Sequence, residues 1–132
     1  VSATLRILLA DDAAEMRALL RWALLRRPDG EADEVLIAGE ATDGREALAM
    51  VVELELDAVV LDLQMPGPEP GDLLRAMAAA APGVPIVTFS GFEPELVAPA
   101  ESRLVTLHIP KTTDLALVRA AIVDVARGAG DA

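Results

Sequence analysis

Five short, almost unbroken apolar runs, at residues 5–10, 35–41, 58–63, 85–90 and 104–109, punctuate the chain. A strand that is apolar on both sides of its pleat must be covered on both faces, a condition met by a parallel sheet layered between helices. The intervening segments carry the helical period that such a sheet requires. Met16, Leu19, Leu20, Ala23 and Leu24 recur at three- and four-residue spacing before Pro28, which is expected to stop the first helix. Ala47, Leu48, Val51 and Val52 mark a second helix, and Leu73, Leu74, Met77 and Ala81 a third. Leu115, Val118, Ile122 and Val125 mark the last, with Gly128 and Gly130 expected beyond its end.

Two connections read irregularly. Residues 66–71 hold prolines at 66, 68 and 70 and predict a stiff loop that is not helical until about Gly71. In the fourth helical slot, residues 93–102, Pro94 is able to open a helix, but Pro99 is expected to end it within about a turn and a half. Residues 30–34 predict a polar surface turn into the second strand. Strand and helix still alternate five times, which implies right-handed βαβ units. The predicted fold is α/β, a doubly wound five-stranded parallel sheet in the flavodoxin-like order 2-1-3-4-5 with helices on both faces.

Composition narrows the function classes. At 132 residues the chain is the size of one domain, and its hydrophobic fraction of 53% rests on aliphatic residues, since it holds one tryptophan, two phenylalanines and no tyrosine. The absence of cysteine excludes disulfides, thiolate metal sites and a cysteine nucleophile. A net charge of −11 repels phosphate backbones, so direct nucleic-acid binding is not expected. No apolar run approaches the roughly 18 residues of a membrane span, and the expected location is cytoplasmic.

The chemistry gathers where apolar runs end in charge. Asp11 and Asp12 follow the first run, and Asp62 lies within the third, where an unpaired carboxylate would cost several kcal/mol. In the order 2-1-3-4-5 the first and third strands are neighbours, and ligands bind outside the carboxyl ends of the strands where the order reverses. Three acids in one crevice need a cation, and Mg²⁺ or another hard divalent ion with oxygen ligands suits them. An aspartate beside such an ion is able to attack a phosphoryl group and form an acyl phosphate. Asp12 with Glu15 also has the spacing of a helix capping box.

Lys111, the one lysine beside ten arginines, directly follows the fifth run and is able to reach a phosphoryl oxygen or Asp62 across the crevice. Ser90 ends the fourth run beside Gly91 and offers a hydroxyl donor. Phe92 is a candidate shield from water, His108 is the sole histidine, and Trp22, off the stripe of the first helix, is expected to pack. Asp62 is followed two residues later by Gln64, not by the second aspartate that aspartate-nucleophile phosphohydrolases resemble one another in having.

With Asp11-Asp12, Asp62, Ser90-Gly91 and Lys111 at the ends of strands one, three, four and five, the chain resembles the receiver domain of two-component response regulators. Residues 61–67 look like the phosphoacceptor segment, and residues 39–48 are similar to the second strand and helix of regulators with helix-turn-helix outputs, which carries an expectation of transcription control. The chain departs from the family pattern in the loop after Pro66, in the fourth helix, and in placing Pro110 before Lys111.

The resemblance implies that Asp62 accepts a phosphoryl group from a sensor histidine kinase or phosphotransfer protein, with Ser90 and Lys111 completing the catalytic set. It implies Mg²⁺ held by Asp11, Asp12, Asp62 and the backbone carbonyl of Gln64, and a switch made by Ser90 and His108. Residues 1–132 are then expected to form one receiver domain, compatible with an excised N-terminal part of a longer protein and with a homodimer. The chain is expected to be a signalling domain and not an enzyme, at most phosphorylating and dephosphorylating itself. The alternative is an atypical receiver that acts as a phosphorylation-independent protein-interaction module.

Overall fold

The computed structural model describes residues 3–91 and 97–130. Five strands, β1 (Thr4–Ala10), β2 (Glu34–Ala41), β3 (Ala58–Leu61), β4 (Ile86–Ser90) and β5 (Leu107–Pro110), alternate with α1 (Ala14–Leu25), α2 (Gly44–Glu53), α3 (Pro70–Ala80), α4 (Pro99–Ser102) and α5 (Leu115–Gly130). All strand pairings are parallel and the order is β2-β1-β3-β4-β5, as the sequence predicts. Ile7 pairs with Ile37 but Leu8 with Gly39, so β2 carries Ala38 as an extra residue against β1.

Strand alternation divides the core into two layers. Ile7 and Leu9 of β1 join Val60, Phe89 and Ile109 in packing under α1 and α5, through Leu20, Leu24, Val118 and Ile122. Leu8 and Ala10 face the other way with Val59 and Leu61, against Ala47 and Val51 of α2 and Leu73, Leu74 and Met77 of α3. Truncating a fully buried leucine in either layer costs about 2–5 kcal/mol. Both layers therefore clamp β1 and β3, the strands that carry the acids.

Several boundaries differ from expectation for physical reasons. β3 ends at Leu61, so Asp62 and Leu63 lie beyond the strand, and β5 begins only at Leu107 because Leu104 and Val105 pack against the α2–α3 layer instead. α1 ends at Leu25, short of Pro28, where the Arg26 N–H bonds the Trp22 carbonyl. Pro70 opens α3 from its first turn, one residue earlier than predicted. Pro99 likewise opens α4 and does not end it, giving a helix of four residues that buries no side chain. Pro94 and Phe92 lie outside the described residues.

α5 continues through Gly128, since its buried stripe runs on to Ala126 and Arg127 is pinned by Glu31 and by Asp33 Oδ2 at 2.5 Å. The turn before β2 is thus an anchoring point as well as a surface loop. Trp22 does not pack: it is 56% exposed, with the Arg26 guanidinium 5.2 Å from its ring centroid. In the loop after β3, Gly67 adopts a φ of 120° and its Cβ position lies 3.3 Å from the Gly44 nitrogen, which itself donates to the Pro66 carbonyl at 2.9 Å. That close approach ties the loop beyond Asp62 to the start of α2.

Candidate functional site

The strands deliver their acids to one place and then release them. The Asp62 N–H still donates to the Ala10 carbonyl at 2.9 Å, and the Asp11 N–H to the Ala41 carbonyl at 3.1 Å, so both α-carbons remain fixed by the sheet. Each side chain then folds back on its own turn. Asp11 Oδ1 accepts the Ala13 N–H at 2.9 Å, and Asp62 Oδ1 accepts the Gln64 N–H at 2.9 Å. These matching aspartate turns leave the other oxygen of each acid free to face the crevice. Lys111 Nζ lies 3.2 Å from Asp11 Oδ2 and 3.2 Å from Asp62 Oδ2.

Asp11 and Asp62 are only 2% and 3% exposed, whereas Asp12 stands open to solvent at the mouth. One carboxylate oxygen from each of the three lies within 4.8 Å of the others. Three carboxylates against one ammonium leave two formal negative charges, which match a divalent cation. Burial is the largest influence on the Asp11 carboxyl and holds it above the ordinary carboxylate range, with the charge of Asp62 adding to it and the Ala13 N–H and Lys111 opposing. Burial also acts most strongly on Lys111 and pushes it down, but the hydrogen bond and charge of Asp62, joined by Asp11, outweigh it and leave the ammonium above its usual range.

Asp11 Oδ2 tests the fit of a metal. It is buried and, among the described residues, finds no hydrogen-bond partner and pairs with Lys111 at 3.2 Å. A buried anionic oxygen with spare lone pairs, beside two more carboxylates, is the donor chemistry that a hard divalent ion takes. Asp12 does not cap α1: Ala13 occupies the N-cap position and no side chain caps the helix. The capping arrangement forms on α2, where Asp43 Oδ1 accepts the Glu46 N–H at 2.8 Å and Glu46 Oε1 accepts the Thr42 N–H at 3.1 Å.

The remaining predicted residues divide. Ser90 is buried at the end of β4, and its carbonyl accepts the Lys111 N–H at 3.3 Å, so this backbone contact places the lysine. Gln64 is exposed with its N–H committed to Asp62. His108 turns to a different partner: its Nδ1 is 2.7 Å from Thr88 Oγ1, beside a cavity of about 260 Å³ that Val97, Ser102 and Val105 also line. Sequence reasoning missed Thr88, and it missed Arg17, whose guanidinium donates to the Asp11 carbonyl at 2.7 Å and pairs with Glu40. Arg17 sits six residues after Asp11, where the first helical turns bring it back over the strand end, and that spacing is the signal that was available.

Comparison with known proteins matches residues 7–123 to the response regulator receiver domain. The chain belongs to that family. It is 41% identical over 121 residues to protein-glutamate methylesterase/protein-glutamine glutaminase 5 of Myxococcus xanthus (strain DK1622), a match covering 90% of this chain and 33% of the relative. The chain thus spans about a third of that relative's length. Among solved structures it is similar to the response regulator domain of Thermotoga maritima CheB, at 26% identity, a TM-score of 0.75 and 98% coverage of both chains. It is similar also to a LuxR-family two-component response regulator from Aurantimonas sp. SI85-9A1, at 27% identity and a TM-score of 0.78, covering 95% and 86% of the two chains.

These likenesses correct one expectation. The receiver was expected to stand apart from enzymes, but its relatives from Myxococcus xanthus and Anaeromyxobacter dehalogenans (strain 2CP-C) are named as enzymes, and the chain matches only their receiver part. Sequence reasoning missed this because the residues that carry the resemblance all lie at strand ends of the receiver itself, and the fold alone does not select an output. Receiver domains bind Mg²⁺ at an acidic pocket, and they interact with histidine kinases or phosphotransfer proteins. No helix among the described residues is long and apolar enough to cross a membrane.

Proposed function

We propose that residues 1–132 form one cytoplasmic receiver domain in which Asp62 takes a phosphoryl group from a phosphohistidine of a sensor kinase or phosphotransfer protein. The observation that carries this reading is the shared ammonium: Lys111 Nζ sits 3.2 Å from an oxygen of Asp62 and 3.2 Å from one of Asp11. An Asp62 oxygen attacks phosphorus, the P–N bond of the donor breaks, and its electron pair leaves with the imidazole, which takes up a proton. Lys111 then exchanges one of its carboxylate partners for a phosphoryl oxygen, and Ser90, at the adjacent strand end, donates to another.

Asp11, Asp12, Asp62 and the Gln64 carbonyl would hold Mg²⁺, which when bound offsets the charge between the carboxylates and the incoming phosphoryl oxygens. His108, held by Thr88 at 2.7 Å, is the residue through which a movement of Ser90 would reach the α4 side. The effector is a hydrolase of protein glutamate esters or glutamine amides, a reading supported by the names of the relatives that share this receiver. The test is incubation with a small phosphodonor and Mg²⁺ followed by intact-mass measurement. Wild type gains one phosphoryl mass; an equal gain by Asp62→Asn would remove Asp62 from the role.

A further inference from the structure

Away from the acidic pocket, α1 and α5 flank an open groove of about 1080 Å³, lined by none of the pocket's carboxylates. One wall is the exposed Trp22 ring, and Ala116 and Ala120, one turn apart on α5, keep the opposite wall low. Arg119 also lines the groove, yet it is 7% exposed and its buried Nε has no hydrogen-bond partner among the described residues. Its one ion pair among the described residues, to Glu31 Oε2, stretches to 4.0 Å, and Glu31 is already engaged by Arg127. A buried guanidinium with an unmet donor is costly unless an acceptor reaches the group.

The rest of the lining restricts that acceptor. Arg26 and Arg127 line the groove as well, but Arg127 is taken by Glu31 and Asp33 and Arg26 lies over the Trp22 ring, while Asp114 and Asp124 present like charge to a dianion or polyanion approaching Arg119. Trp22, Ala116 and Ala120 offer a flat apolar strip for the remainder of a ligand, and the volume is at the upper end for a small-molecule site. We propose that this groove binds a small amphipathic monocarboxylate, its carboxylate on Arg119 and its apolar body along Ala116, Ala120 and the Trp22 ring. The site stands independently of phosphorylation at Asp62.

Trp22 is the chain's one tryptophan, so its emission reports occupancy directly. The intact chain is titrated with octanoate and, separately, with the neutral octanamide, following Trp22 emission and backbone amide shifts. Octanoate is expected to give a saturable response on α1 and α5, at least about tenfold weaker with octanamide and with Arg119→Gln. Ala120→Phe, at an exposed helical position, fills the groove and is expected to abolish the response while phosphoryl uptake is unchanged. Equal binding of the two probes, unaltered binding by either variant, or no saturable response to octanoate overturns the proposal. A response that instead tracks protein concentration, with a dimer in sedimentation, makes the groove a contact between copies and also overturns it.

Discussion

Asp11, Asp62 and Lys111 are fixed by buried strand ends and two matching aspartate turns, whereas α4, the element that follows β4, is four residues long and buries no side chain. Arg75 ties α4 to α3 by bridging Asp72 and Glu101, and the Ser102 hydroxyl donates to the Pro99 carbonyl of its own helix. Core packing therefore dictates the pocket, and exposed ion pairs dictate α4. The first rests on buried contacts, while the second rests on ion pairs that each contribute little.

The strongest way to break that contrast is Lys111→Met. It leaves two nearly buried carboxylates without their shared cation and should destabilise the metal-free protein by roughly 2 kcal/mol, after allowing for partial exposure of the lysine. Mg²⁺ should restore part of the loss in denaturant titrations; a variant as stable as wild type would show that the ion pairs do not hold the pocket. Next in size, Asp12→Ala should weaken Mg²⁺ binding by at least about tenfold, or about 1.4 kcal/mol, while changing stability little because the side chain is exposed. Isothermal titration separates the two quantities.

Asp11→Asn sharpens the comparison through pH. Burial, with the charge of Asp62, holds the Asp11 carboxyl above its ordinary range. A raised value in the folded state gives stability that is present below the unfolded value and lost as pH rises through the folded one. Ionised Asp11 therefore weakens the metal-free fold at neutral pH, and asparagine, which keeps an acceptor for the Ala13 N–H, should raise Tm by roughly a few degrees. The gain should shrink as pH falls toward the carboxylate range. Smallest of all, Arg75→Ala should cost at most about 0.5 kcal/mol, speed amide exchange at residues 99–102 and leave Mg²⁺ affinity unchanged.

The legible part of this molecule was what apolar pattern and charge at strand ends dictate. Runs buried on both faces required the sheet, the order 2-1-3-4-5 was a common solution for five alternating strands and helices, and Asp11, Asp12, Asp62 and Lys111 met where that order reverses. Local chemistry with several solutions was not legible. Asp12 and Glu15 had the spacing of a cap, but the Asp11 turn onto the Ala13 N–H carries the chain one residue further before the helix starts, and the N-cap position falls on Ala13. Pro99 reads equally as an end or a beginning of a helix, and the preceding Ala98, at ψ 149°, settles it as a beginning. Trp22, off the apolar stripe of α1, was expected to pack, yet its place beside the small residues of α5 leaves it lining a groove.

The central claim is that Asp62, in a pocket formed before any phosphoryl group arrives, is the residue that receives it. Borohydride reduces an aspartyl phosphate to homoserine, so reduction after incubation with a small phosphodonor and Mg²⁺, followed by peptide mass spectrometry, reads the acceptor directly. The account predicts homoserine at position 62 and at no other aspartate, and only when Mg²⁺ is supplied. Homoserine at Asp11 or Asp12, or a fully phosphorylated protein with position 62 unmodified, would contradict it.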